Sequence, residues 1–133
     1  KDALKEWGIT GGDDWVLSSE CSFEAGIRLV QNKADKIKKA DGIFAQADIL
    51  ALGIIRGLRE LEKNVPRDIK VVGYDDIELD AYFTPRLTTV HQKHEDLARR
   101  ACEYLAAAVT SKEGRPGPLQ LISKPNLVER DST

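Results

Sequence analysis

Apolar positions along this chain follow two rhythms. Short unbroken apolar runs alternate with longer stretches in which apolar residues recur every three or four positions. The first rhythm predicts strands buried on both faces, the second amphipathic helices. Val16-Leu17, after Gly11-Gly12-Asp13-Asp14, predicts a short strand, and residues 22 to 39 predict a helix with Ala25, Leu29, Val30, Ala34 and Ile37 on its apolar side. Asp41-Gly42 breaks that pattern, Ile43-Phe44-Ala45 predicts a brief strand, and Asp48 is expected to cap a helix from 49 to 63 that Asn64-Val65-Pro66 ends. Residues 69 to 74 predict the next strand, which stops on Asp75-Asp76.

Residues 77 to 86 read as irregular up to Thr84-Pro85, and residues 87 to 90 as a β-branched strand. Residues 94 to 111 read as a helix with Leu97, Ala98, Ala101, Leu105, Ala108 and Val109 opposite Glu95, Arg99 and Glu103. A turn-rich loop with Gly114, Pro116, Gly117 and Pro118 leads to two short strands at 119–122 and 127–128, separated at Lys124-Pro125. The opening residues 1 to 8 read as a helix ending at Gly8, as though the chain continued something longer. Strands alternating with helices imply an α/β fold of βαβ units and a mainly parallel sheet, whose last segment pairs as an edge.

The helix from 49 to 63 carries two apolar stripes: Leu50, Ile54, Leu58 and Leu61 on one side, Ile49, Leu52 and Ile55 on another. One stripe is enough to cover a sheet. The second is expected to lie against a neighbouring element or a partner subunit.

Composition narrows the function classes. The chain has 133 residues, 41% hydrophobic and 32% charged, which suits one globular domain, and no apolar run reaches the roughly 20 residues of a membrane span. A net charge of −2 argues against this segment holding nucleic acid by itself. The densest basic patch, Lys33, Lys36, Lys38 and Lys39, is diluted by Asp35 and Asp41 and reads as a solvated helix face. Cys21 and Cys102 are far apart and follow no metal-type spacing, which suggests reduced thiols and a cytosolic protein.

Chemistry concentrates where the third strand ends. In a parallel sheet the carboxyl ends of the strands are where ligands bind. Asp75-Asp76 there is either a turn or a site. Asp75 and Asp48 have the residue types of an acid/base pair, but no nucleophile or electrophile accompanies them, and glycine-rich nucleotide loops, G-x-S-x-G and C-x-x-C are all missing. His91 and His94, beside Glu95 and Asp96, match no zinc spacing. Two carboxylates at strand ends suit the acceptance of hydrogen bonds from a polar ligand, without turnover.

Three segments together carry a resemblance: Gly42 to Gly53 (GIFAQADILALG), Val65 to Asp76 (VPRDIKVVGYDD) and Thr84 to Gln92 (TPRLTTVHQ), with the ending Leu127 to Thr133 (LVERDST). This series resembles the effector-binding domain of the LacI/GalR family of bacterial transcriptional regulators, over nearly the whole chain. The resemblance implies a parallel-sheet βαβ lobe of periplasmic-binding-protein type I, truncated at its N-terminus. Residues 1–92 would be the second lobe, and 93–133 a crossover, a helix and terminal strands belonging partly to the first. It implies no enzyme activity, no cofactor and no metal. The implied function is sensing a small polar effector, a sugar or a nucleoside-like molecule, in the cytoplasm. DNA is reached only through a separate N-terminal domain of a homodimer. A periplasmic sugar-binding protein of a transporter is the alternative with the same lobes.

By the same resemblance, Asp75 accepts hydrogen bonds from the effector, Gln92 faces the cleft at the crossover, and Phe44, Ala47 and Asp48 line the strand ends. Ser19 stands where some members carry an arginine, and Phe23 matches an aromatic position near the pocket. Leu52, Ile55, Ile49, Tyr82 and Phe83 correspond to the dimer surface. The helix at 94–110, with no first lobe to cover it, is expected to fold back on its own sheet or to be exchanged with a second copy.

Overall fold

The structure, a computed structural model, describes residues 5–8, 13–110 and 117–133. The predictions at residues 1–4, Gly11-Gly12, Ser111, Gly114 and Pro116 lie outside them. Gly8 closes the first helical turn with φ at +66°, a left-handed conformation that suits glycine.

A 3-10 turn at Asp13–Trp15 precedes helix α1 (Phe23–Asn32), a single turn α2 (Ala34–Ile37) and strand β1 (Gly42–Phe44). Helix α3 (Asp48–Glu60) leads into β2 (Lys70–Asp75), a 3-10 segment at Glu78–Ala81, β3 (Thr88–His91), helix α4 (His94–Thr110) and β4 (Asn126–Val128). The sheet runs β1-β2-β3-β4, with the first three strands parallel and β4 antiparallel to β3. Register pairs Phe44 with Val72, and Asp75 with His91, so β2 and β3 end opposite each other while β1 ends further back along the sheet.

Ser22 caps α1 by accepting the Ala25 N–H at 3.1 Å. The helix expected from 22 to 39 is two helices, because Lys33 leaves the helical region at φ −121°, ψ 24°. Asp48 does not cap α3. Ala47 occupies the cap position without a side-chain bond, and Asp48 is the first helical residue with its carboxylate turned inward. Helix α3 stops at Glu60, where Leu61 closes its last turn and Glu62 turns left-handed at φ 56°.

Residues 16–20 pair with no strand, and neither do 119–122; Leu119 and Ile122 are exposed. The first of these two runs lies across a cleft of about 600 Å³ from β1, lined by Trp15 to Ser19 on one side and Gly42 to Gln46 on the other.

Both stripes of α3 are buried within the chain. Leu52, Leu58 and Ala51 have no exposed surface, and Ile54 and Ile55 have almost none. One side of the helix meets β2; the other packs along α1. The close approach to α1 depends on glycines. A Cβ at Gly53 would collide with the Phe23 carbonyl, one at Gly57 would stand 2.9 Å from the Val30 Cβ, and one at Gly26 would stand 2.5 Å from the Leu50 carbonyl. Leu52 and Ile55 therefore offer no surface to a second subunit, which corrects their assignment to a dimer face. Tyr82 is 76% exposed, whereas Phe83 and Ile49 are half-buried. Helix α4 does not fold back on the sheet. None of its residues is buried, and Leu105 and Val109 stay exposed.

The last residues lace the starts of β2 and β3 together. Ser132, fully buried, donates to the Val71 carbonyl at 2.6 Å and accepts the Thr88 N–H at 2.8 Å, while Val71 N–H reaches the Ser132 carbonyl at 2.9 Å. Arg86 and Asp131 form a two-pronged ion pair at 2.7 and 2.9 Å beside them.

Candidate ligand site at the strand ends

β2 ends in two consecutive residues with positive φ, Asp75 at 125° and Asp76 at 58°. Backbone strain of this kind costs on the order of 1–3 kcal/mol per residue and collects at functional turns. It separates the two carboxylates. Asp75 projects toward the crossover, where Gln92 Nε2 donates to its Oδ1 at 2.9 Å. Asp76 turns to the other side and is taken up by the chain: Arg130 donates to Oδ1 at 2.6 Å and His91 Nδ1 lies 2.9 Å from Oδ2. Partial burial works against ionisation of Asp76, but the Arg130 guanidinium and His91 outweigh it and hold the carboxyl below its ordinary range.

Asp75 and Gln92, predicted as site residues, are thus brought together at the ends of neighbouring strands. Phe44, the last residue of β1, is 64% exposed at the adjacent strand end and lines the 600 Å³ cleft together with Ser19. Ala47 is buried beneath that end.

Asp48 is elsewhere. It has no exposed surface, its Oδ1 accepts the Thr89 hydroxyl at 2.6 Å and its Oδ2 accepts the Ile77 N–H at 3.2 Å. Gly73 passes so close to Oδ1 that a Cβ there would collide with it. Asp48 ties α3 to β2, β3 and the 77–81 segment and turns neither oxygen outward, so its placement among the ligand contacts is corrected. Phe23 is half-buried against the core, with its ring by Ile27, Ile55 and Phe83 in a separate surface cleft.

Asp80 shares the buried space of Asp48. It is fully enclosed, both carboxyl oxygens lack a hydrogen-bond partner among the described residues, and burial together with the neighbouring Asp48 pushes its pKa up to about 8. Arg130 acts in the opposite direction without cancelling the rise.

Sequence reasoning missed Arg130, Thr89, Asp80 and Ser132 as members of these networks. Gly73 did carry a signal, since a glycine inside a strand marks close approach of another group. The others carry none, because their partners lie far away in sequence, 54 residues in the case of Arg130 and Asp76. Among the described residues no three His, Cys, Asp or Glu side chains gather as metal ligands, and no helix is long and apolar enough to cross a membrane.

Comparison with known proteins places this geometry. A family model described as "Periplasmic binding protein-like domain" matches residues 1–133. The HTH-type transcriptional repressor PurR of Erwinia tasmaniensis is 36% identical over 130 residues, 98% of this chain and 38% of that protein. PurR of Vibrio vulnificus is 33% identical over 132 residues. This chain thus spans under two fifths of the length of these relatives. Among solved structures, the transcriptional regulator CelR–cellobiose complex superposes with a TM-score of 0.90 at 27% identity, over 99% of this chain and 40% of that one. A LacI-family regulator from Enterococcus faecium with bound ribose gives 0.80 at 30% identity, over 99% of this chain and 48% of that one. One from Sanguibacter keddieii gives 0.91 at 32%, over 98% and 48%. With a family model spanning all of its residues and LacI-type regulators as homologues and structural neighbours, the chain belongs to the periplasmic binding protein-like family, in the part that forms effector-binding domains.

Proposed function

We propose that this chain is the greater part of one lobe of the effector-binding domain of a cytoplasmic, LacI-type transcriptional regulator. It binds a sugar between this lobe and a second one. The observation that carries the reading is the Asp75 carboxylate at the end of β2, held by Gln92, with the exposed Phe44 closing the neighbouring strand β1. A carboxylate acceptor at one strand end and an exposed aromatic ring on the neighbouring strand suit a sugar, whose hydroxyls donate and whose C–H face packs on a ring. Cellobiose and ribose bound to the similar regulators support that class. The regulators among the relatives favour this reading over a transport protein. The repressors and regulators among the relatives support a site that binds without turnover.

In this proposal residues 1–92 belong to the second lobe. The 93–133 segment crosses over near Gln92 and contributes α4 to the first lobe, in keeping with the lack of any fully buried residue along α4. The protein acts as a homodimer through a surface centred on Tyr82, with Phe83 and Ile49 at its edge. DNA is read by a separate domain. Effector binding shifts the population of lobe closures and thereby the placement of the DNA-reading domains.

A thermal-shift screen of the full-length protein against ribose, cellobiose, lactose and purine bases tests the reading. A ligand at 100 times its Kd should add about 2.7 kcal/mol of stability. A positive sugar whose response is lost in Asp75→Asn supports it; a response to none of these compounds, or one unchanged in Asp75→Asn, overturns it.

A further inference from the structure

The strand-end turn is attached to the most unusual polar cluster in the molecule. Asp80 is completely enclosed, its two carboxyl oxygens have no hydrogen-bond partner among the described residues, and the group beside it is another fully buried carboxyl, Asp48. Two ionised carboxyls in one dry space are mutually repulsive and poorly solvated, so such a pair keeps one proton. From β3 comes the Thr89 hydroxyl, already donating to Asp48, and from the following loop the Ile77 N–H, also on Asp48. From the C-terminal segment comes Arg130, whose hydrogen bonds go to Asp76 and the Leu87 carbonyl. From β2 comes Gly73, which leaves room for the Asp48 carboxylate.

We propose that Asp80, enclosed and unpartnered in the space it shares with Asp48, keeps its proton, and that this neutral form lets the 77–83 segment stay seated on the sheet and with it the Asp75–Asp76 turn, making the ligand site sensitive to alkaline pH. The mechanical link is short. Asp80 N–H bonds the Ile77 carbonyl, Ile77 N–H bonds Asp48, and Ile77 follows directly on Asp76. When the proton leaves, two carboxylates are forced together, and the cheapest relief is for the 77–83 segment to lift and admit water. That movement loosens the residues that hold Asp75 opposite Gln92. The link to ligand binding rests on the site proposed above, whereas the proton on Asp80 and the movement of the segment do not.

The sign follows from the raised affinity of Asp80 for its proton. An acid that titrates higher in the folded state than in the unfolded chain lends full stability below its unfolded value, near pH 4, and that stability is lost as pH rises through the folded value, near 8.

The test uses the full-length protein, the Asp80→Asn variant, whose neutral amide can donate to Asp48 without titrating, and Asp80→Ala. Carbon-13 NMR of the carboxyls should show one group titrating in the weakly alkaline range in the wild type and absent from Asp80→Asn. Hydrogen exchange, corrected for its intrinsic pH dependence, should rise at least tenfold in residues 77–83 between pH 7 and 9 in the wild type and stay flat in Asp80→Asn. An alkaline titration that survives Asp80→Asn, or exchange in 77–83 that does not respond to pH, overturns the proposal. A positive exchange result with no pH effect on sugar response would leave the device standing and remove its link to the site. If Asp80→Asn fails to fold, the wild-type titration and the Asp80→Ala exchange profile still decide it.

Discussion

Gln92 Nε2 donates to Asp75 Oδ1 at 2.9 Å, joining the residue that follows β3 to the residue that ends β2. The bond orients the one strand-end carboxylate that the chain does not consume itself. Asp76, its neighbour, spends both oxygens on Arg130 and His91. Two adjacent acids of identical chemistry thus have separate tasks, and the positive φ at each is what turns them apart.

Asp75→Asn keeps the shape and tolerates positive φ, but removes the charge. Hydrogen bonds to charged groups contribute about 1.5–3 kcal/mol, so sugar affinity should fall roughly 10- to 100-fold with little change in the melting temperature of the free protein. Calorimetric titration with the sugar found in the thermal-shift screen measures it. An affinity within twofold of the wild type would place Asp75 outside the site.

Asp48→Ala should cost about 3 kcal/mol of stability, because it strands the Ile77 N–H and the Thr89 hydroxyl in a buried space. Urea denaturation of the full-length protein should show a lower midpoint with an unchanged slope. A loss below about 0.5 kcal/mol would mean that the cluster does not hold α3 to the sheet.

The crossing of α1 and α3 predicts a contrast between two glycines. Gly53→Ala places a methyl against the Phe23 carbonyl and should destabilise by about 1–3 kcal/mol despite alanine's better helix propensity. Gly42→Ala meets only the Lys70 carbonyl at 3.7 Å and should be close to neutral. Thermal unfolding of the two variants side by side checks the order, and equal effects would contradict the packing.

Acid stability should depend on Arg130. The Asp76 carboxyl titrates lower in the folded state than in the unfolded chain, opposed by burial but carried by Arg130 and His91. Its contribution is present above the unfolded value, near pH 4, and disappears as pH falls through the lower folded value. Arg130→Gln should therefore lower stability at pH 6 and reduce the gap from the wild type below about pH 3. A constant gap across that range would assign the effect of Arg130 to its bond with the Leu87 carbonyl instead.

Most of the architecture was legible in the order of apolar residues. The strands β1, β2 and β3, the helices α3 and α4, and the irregular stretch between β2 and β3 fall within a few residues of their predicted places, because each is announced by local periodicity and by a local breaker. The kink at Lys33 and the unpaired runs at 16–20 and 119–122 were not legible. A strand needs a partner at hydrogen-bonding distance, and no local pattern says whether one is there. The candidate site divides in the same way. Asp75 stood out because it ends a strand and Gln92 through the family resemblance, whereas Asp48 looked like a site residue because a carboxylate after a strand reads the same whether it turns out or in.

By itself, then, the chain's order of residues determined an α/β lobe with parallel strands, a carboxylate pair at a strand end and an apolar helix with a face to spare, since each of these follows from short-range spacing. Tertiary structure alone decided that Asp76 is taken up by Arg130 and His91 while Asp75 is held by Gln92. The direction of a side chain, the closeness of α1 to α3 across Gly53, and the pairing of Asp76 with Arg130 all depend on contacts between residues distant in sequence. The same long-range packing covered the second stripe of α3, leaving Leu52 in the core and Tyr82 on the surface.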